Sequence, residues 1–198
     1  MHRHAAHLAE RLVHLTQTEG GLGWSPRSPK RAVSNTQDVT PSGAKVFFAN
    51  SGAEANEGAL KIARMAGKQR WSARTGQAWD TPEAKCDKYR FVCFEHGFHG
   101  RSMGALSTTI NHKYQAPFEP LLPGVDRGWL NDGASLETLV TEETCGVIVE
   151  PIQGEGGVHM SEVEWLRKLR RRCDEVGAVL IFDEVQVSVR ALCRAMCN

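Results

Sequence analysis

The sequence predicts an α/β layered domain, a mostly parallel sheet with flanking helices. Three observations predict it: strand-sized apolar runs alternate with helical patterns, no run is long enough to cross a bilayer, and the composition is that of an ordinary globular domain. The 198 residues hold 24 Lys+Arg against 23 Asp+Glu, with 41% hydrophobic and 24% charged residues, which excludes a disordered or collagen-like chain. At this length one core buries enough apolar surface to outweigh chain entropy without staples. A formal net charge of +1 argues against nucleic acid or an anionic membrane as the main partner. The longest apolar runs, Cys145 to Val149 and Ala178 to Phe182, are too short to span a membrane. Cys86, Cys93, Cys145, Cys173, Cys193 and Cys197 lack zinc spacing and follow no secretory leader, so they read as reduced thiols, and no metal site is expected.

Each element follows from its own pattern. Leu8, Leu12 and Leu15 share one face of a helix over about Ala5–Leu15. Gly, Ser, Pro and Thr then dominate from Glu19 to Gly43, the composition of a loop or insertion, and the polar stretch Ser72–Lys88 reads the same way. Between them the apolar run Lys45–Ala49 predicts a strand, followed by a helix from Gly52 to Gln69 and a strand Tyr89–Phe94. A short helix near Ser135–Glu143, a strand Gly146–Glu150, a helix Glu162–Val176 and a strand Ala178–Val185 complete the alternation. Ser51 with Glu54, and Ser161 with Glu164, have capping-box spacing, and Gly177 stops the second of these helices. The run Arg167-Lys168 and Arg170-Arg171-Arg172 reads as a solvated helix face. Three sections are expected: a helix and polar loop over 1–44, a cofactor-binding core over 45–186 and a divergent tail over 187–198.

Four motifs carry chemistry. Asn50-Ser51-Gly52-Ala53-Glu54 passes into a capped helix, whose free first-turn amides suit a phosphate, although the turn alone also reads as a good N-cap. It is neither a Walker loop nor a dinucleotide fingerprint. Glu95-His96-Gly97-Phe98-His99-Gly100-Arg101 leaves a strand where open α/β sheets bind ligands; its guanidinium offers a planar grip on a carboxylate, while Phe98 and His99 alone would read as packing. Glu150-Pro151-Ile152-Gln153-Gly154-Glu155-Gly156-Gly157 sets two acids in a glycine-rich loop, suited to acid/base work or to plain solvation. Asp183, just past the apolar run Ala178–Phe182, is partly desolvated and must find a cationic or protonated partner, unless it serves as a helix cap.

Together and in this order, the motifs resemble the class III pyridoxal-phosphate-dependent aminotransferases, with the acetylornithine aminotransferase branch nearest, over roughly Val46–Gln186. The resemblance implies part of the large domain of the aspartate-aminotransferase-like, type I fold, and a homodimer. It implies that Gly52 and Ala53 hold the cofactor phosphate, that Phe98 stacks on the pyridine ring, that Asp183 pairs with the ring nitrogen, and that Gln186 bonds the phenolic oxygen. Arg101 would take the substrate carboxylate, and Glu155 would tune which end of a diamine reacts. The implied reaction joins a small-molecule amino donor, N-acetylornithine, and a 2-oxo acid, 2-oxoglutarate, in arginine synthesis. The family's compartment would be the mitochondrial matrix, although Met1–His14 is short for a presequence and contains Glu10; otherwise the protein would be cytoplasmic.

The family's Schiff-base lysine is expected about 30 residues beyond Asp183, where it anchors the aldehyde and shuttles a proton. Here the pattern departs at Val187, and no lysine follows Lys168, so no catalytic residue is assigned. The chain as it stands is therefore expected to be a truncated, inactive transaminase. The alternatives are a non-catalytic remnant, a member of the ornithine or 4-aminobutyrate branch, or an unrelated phosphate-binding module that explains the Ser51 turn alone.

Overall fold

The computed structural model describes residues 3–18 and 44–186. Helix α1, Arg3–Thr18, belongs to one compact unit, and Ala49–Val187 forms another. The amphipathic pattern of the first segment does form a helix, with Leu8 and Leu12 exposed. The polar stretch 19–43 and the tail 187–198 lie outside the described residues.

In the larger unit, helix α2 runs Gly52–Thr75, strand β1 Arg90–Phe94, helices α3 and α4 Met103–Thr108 and His112–Gln115, and strand β2 Val125–Gly128. Helix α5 (Leu136–Leu139), strand β3 (Thr144–Val149), the short strands β4 (Ile152–Gln153) and β5 (His159–Met160), helix α6 (Val163–Val176) and strand β6 (Val179–Phe182) follow. The four main strands are all parallel, in the order β2-β1-β3-β6, while β4 and β5 form a separate antiparallel pair. Parallel neighbours need crossovers, and α2 and α6 lie across the sheet's two faces. Phe91 packs with Leu60 and Ala63 of α2, whereas Phe94, three residues on and therefore on the opposite face, stacks edge-on against Trp165 of α6 at 5.0 Å. Every residue of β3 is buried, as expected for a strand covered on both sides.

Several expectations are corrected. Lys45–Ala49 forms no strand, and Phe47 is 72% exposed, because an apolar run becomes a strand only when a neighbouring strand completes its ladder. Helix α2 runs six residues past Gln69, through the first four residues of the stretch read as polar loop, and stops at Gly76 in the left-handed conformation. The Ser161–Glu164 capping box does not form. The Ser161 hydroxyl turns to the Glu150 carbonyl at 3.5 Å and its amide donates to the Pro151 carbonyl at 2.9 Å, and α6 starts one residue later, where the Glu162 amide donates to the Asn131 side chain. The helix expected over Ser135–Glu143 shrinks to α5, and the last strand ends at Phe182 rather than Val185. Strand β2, helices α3 and α4 and the β4–β5 pair were not expected, since elements this short have no readable period.

Lys88, inside the stretch read as loop, is 2% exposed. Its ammonium donates to the Glu142 carbonyl at 2.8 Å and to the Val176 carbonyl at 2.6 Å, capping the last turn of α6 with a positive charge. Burial pushes its pKa down, against the pull of Glu142.

Helix α2 approaches β3 through Gly67, where an added Cβ would stand 2.5 Å from the Cys145 Cβ. Gly67→Ala should gain about 1 kcal/mol of helix propensity and lose about 1–3 kcal/mol to overpacking. Overpacking should win, and urea unfolding should show a net destabilisation at unchanged m-value; an increase in stability would show that the helix can move off the sheet.

Candidate functional site

The C-terminal ends of β1, β3 and β6 and the N-terminus of α2 converge on one cavity of about 340 Å³. Gly52, Ala53, Phe98, Arg101, Asp183 and Gln186 all line it. Parallel strands deliver these residues to a common edge because their chain direction, and therefore their exits, coincide.

At the α2 N-terminus, Ser51 Oγ accepts from the Glu54 amide at 3.2 Å, and the Ala55 amide donates to the Ser51 carbonyl. The Glu54 carboxylate reaches back to the Asn50 amide at 2.8 Å rather than to that of Ser51. The cap therefore satisfies the later amides, while those of Gly52 and Ala53 have no partner among the described residues. Both residues face the cavity at the positive end of a 24-residue helix, an arrangement that draws an anion. An added Cβ on Gly52 would stand 2.7 Å from a Val185 methyl, so only glycine leaves this corner open.

Opposite lies Asp183, 6% exposed. Its Oδ2 is 2.8 Å from both His99 Nδ1 and Asn56 Nδ2, and Oδ1 accepts from the Val185 amide at 3.1 Å. Burial pushes the carboxyl pKa up, but the His99 contact and the Val185 and Asn56 hydrogen bonds outweigh it and hold the group below the usual carboxylate range. An ionised carboxylate cannot donate, so the shared proton sits on Nδ1 of His99. Of the carboxylate's roughly four acceptor sites three are filled, which leaves Oδ1 able to take one more proton donor from the cavity.

Asn56 and His99 were not singled out as site residues by sequence reasoning. Asn56 lies one helical turn beyond the phosphate-type turn, so its position on α2 was a usable signal. Its Nδ2 also donates to the His99 carbonyl at 2.8 Å, locking that loop to the helix.

Glu150, also in the cavity lining, is 4% exposed and straps two loops together. Its Oε1 accepts from the Phe98 amide at 2.7 Å and its Oε2 from the Gly154 amide at 3.3 Å. Burial raises its pKa, and those amides and His99 only partly offset this. Arg101 is exposed at the cavity mouth and makes no hydrogen bond or ion pair among the described residues, so its guanidinium is available to a carboxylate. Glu155 does not line the cavity. Its link to the cavity is Tyr114, whose ring meets the lining residue Phe98 and whose hydroxyl donates to Glu155 Oε1 at 2.7 Å, which sets the acid at the rim. No lysine lines the cavity among the described residues.

The donor set suits a phosphorylated aromatic cation: unpartnered helix amides for the phosphate, the Phe98 ring for an apolar face, and a buried anion with one open acceptor site for a protonated ring nitrogen.

Comparison with known proteins agrees. Residues 7–190 match the family model described as Aminotransferase class-III. The chain is 54% identical over 165 residues to the mitochondrial acetylornithine aminotransferase of Yarrowia lipolytica, covering 82% of this chain and 36% of that protein. It is 49% identical over 145 residues to the succinylornithine transaminase of Yersinia enterocolitica, covering 73% and 33%. Among solved structures, ornithine aminotransferase from Toxoplasma gondii superposes with a TM-score of 0.65 at 27% identity, over 78% of this chain and 35% of that one. Lysine aminotransferase from M. tuberculosis gives 0.56 at 30% identity, over 71% and 35%. The chain thus spans about a third of the length of these relatives.

The two buried carboxylates should give opposite pH slopes. The lowered pKa of Asp183 contributes stability that is complete above the ordinary aspartate value and lost as the pH falls below about 4. The raised pKa of Glu150 contributes a penalty that grows as the pH rises above about 4.3. Denaturant unfolding across pH should show Asp183→Asn flattening the acid limb and Glu150→Gln flattening the rise in penalty; equal slopes in wild type and both variants would refute the assignment.

Proposed function

The chain belongs to the class-III aminotransferases, and on that premise we propose that it forms the cofactor-holding part of a pyridoxal-phosphate-dependent transaminase of the acetylornithine type. One observation carries the reading: a buried, ionised Asp183 with an open acceptor site faces two unpartnered helix amides across a single cavity. When bound, pyridoxal phosphate supplies the electron sink for moving an amino group between an amino acid and a 2-oxo acid.

This chain's residues would hold and orient it. The Gly52 and Ala53 amides would bind the phosphate, and the positive end of α2 would favour its charge. Asp183 would keep the proton on the ring nitrogen; His99 and Asn56 hold that carboxylate in place and in its charged form. Phe98, fixed by its amide to Glu150, would present its ring to the cofactor, and Gln186 would bond the phenolic oxygen. Arg101 would hold the substrate carboxylate, and Glu155, at the rim, would meet the far end of the amino donor. N-Acetylornithine as donor rests on the names of the fungal relatives, whose mitochondrial designation also supports a mitochondrial site of action, and 2-oxoglutarate as acceptor rests on the family resemblance of the motifs. A second copy of the chain is the partner expected from the family.

Equilibrium dialysis with pyridoxal phosphate tests the site. Gly52→Val should fill the phosphate corner, and Asp183→Ala should remove the ring partner, each weakening retention by about tenfold or more. Retention equal to wild type in both variants would remove these residues from the site. With no lysine in the cavity lining, transamination of N-acetylornithine by the chain alone should stay at the rate of free cofactor. Turnover above that rate would demand another amine, which borohydride reduction and mass spectrometry would locate.

A further inference from the structure

Tyr114 stands between the aromatic wall of the cavity and the rim acid. Its ring meets Phe98 edge-on, with centroids 5.9 Å apart at 76°, while its hydroxyl donates to Glu155 at 2.7 Å. That hydrogen bond joins residues 41 positions apart, and it is the one hydrogen bond the Glu155 side chain takes among the described residues. The support behind Tyr114 is rigid. Helix α4 is capped by Asn111, whose Oδ1 accepts from the Lys113 amide at 3.1 Å, and buried Gln115 donates to the Leu106 carbonyl at 3.1 Å.

An exposed glutamate ordinarily samples many rotamers, so a carboxylate that must read one end of a ligand needs an anchor. A phenol suits that task, since it donates a strong hydrogen bond to the anion yet adds no charge to the rim. The bond to Glu155, followed by the acid's charge, pushes the phenol pKa up, so Tyr114 keeps its proton at neutral pH despite nearby Arg101.

We propose that Tyr114 is a positioning residue for Glu155, tethering the acid at the rim so that its carboxylate discriminates a free ammonium from an acylated nitrogen at the far end of the amino donor. The proposal rests on the aminotransferase reading and adds a specificity determinant to it. A tethered carboxylate keeps free acceptor sites but is held on the phenol and is not free to turn onto an ammonium. Released, it can do so, and the preference shifts toward the free diamine.

The test uses the chain with Tyr89→Phe, which leaves Tyr114 as the only one of its two tyrosines. The Raman tyrosine doublet should report a strongly donating phenol that weakens in Glu155→Gln; a doublet indifferent to Glu155→Gln overturns the tether. With pyridoxal phosphate bound, dissociation constants for ornithine and N-acetylornithine are then measured for wild type and Tyr114→Phe, which keeps the ring and its Phe98 contact. The ratio should shift toward ornithine by about tenfold, the scale of one charge-assisted hydrogen bond, and Glu155→Gln should abolish the shift. An unchanged ratio with the Raman signature intact overturns the positioning role, because a merely structural tyrosine leaves the ratio alone. Retention of the Raman signature in the Tyr89→Phe chain with no retention of pyridoxal phosphate by that chain or the wild type sinks the aminotransferase reading, and with it the specificity role, while leaving the tether itself established.

Discussion

The site depends on one buried carboxylate. Asp183 ends β6, and its Oδ2 is shared by His99, on the loop leaving β1, and by Asn56, on α2. Three segments far apart in sequence thus meet at a single anion that is only 6% exposed. An unpaired charge there would be costly, so each partner is needed to keep the others in register. The Asn56 amide adds a second bond, to the His99 carbonyl, and fixes the distance between the helix that offers its amides and the loop that carries Phe98 and Arg101.

Glu150 performs a related task with the opposite electrostatic balance. It receives backbone amides from the Phe98 and Gly154 loops but no cation close enough to offset its desolvation fully, so its pKa is raised where that of Asp183 is lowered. Two carboxylates in the lining of one cavity are thereby driven apart in acidity, because burial raises both and only the partners of Asp183 outweigh it. Glu57 is a third variation. Burial raises its pKa, but donation from Ser102, Ala105 and Gly104 lowers it further, and the acid anchors the start of α3 to α2. The Phe98 and Gly154 loops and the start of α3 are held by backbone-to-carboxylate bonds, while Arg–carboxylate pairs lie away from the cavity, on α6, as in Arg167 with Glu164 and Arg172 with Glu175, and between Arg90 and Asp126 and Arg74 and Glu142.

Much of this was legible along the chain. The buried strands β1 and β3, the Ser51 cap, the α6 stripe of Leu166, Leu169, Cys173 and Val176, and the glycine stop at Gly177 are local patterns, decided by side chains a few residues apart. Gly52, Ala53, Phe98, Arg101, Asp183 and Gln186 were likewise visible as motif residues at strand exits and at a helix start, and they share one cavity. What failed was whatever needed a distant partner. Lys45–Ala49 is apolar enough for a strand but lacks a neighbouring ladder, and the Ser161 hydroxyl turns to the Glu150 carbonyl instead of serving as a cap. Lys88 sits in a polar stretch yet is buried, because the carbonyls of Glu142, in a turn, and Val176, at the end of α6, receive its ammonium.

By itself, then, the sequence determined the layered α/β class, the capped start of α2 and the motif residues that stand at strand exits, since periodicity, capping and strand exits are properties of short segments. Only the tertiary structure decided that His99 and Asn56 hold Asp183, that Glu150 straps the loops, and that Tyr114 anchors Glu155 at the rim. Apart from the Glu150–Gly154 bond, these contacts join residues 41 to 127 positions apart. No local pattern encodes them, because their geometry and energy exist only once the packed sheet brings its strand ends to a common edge and removes the water around them.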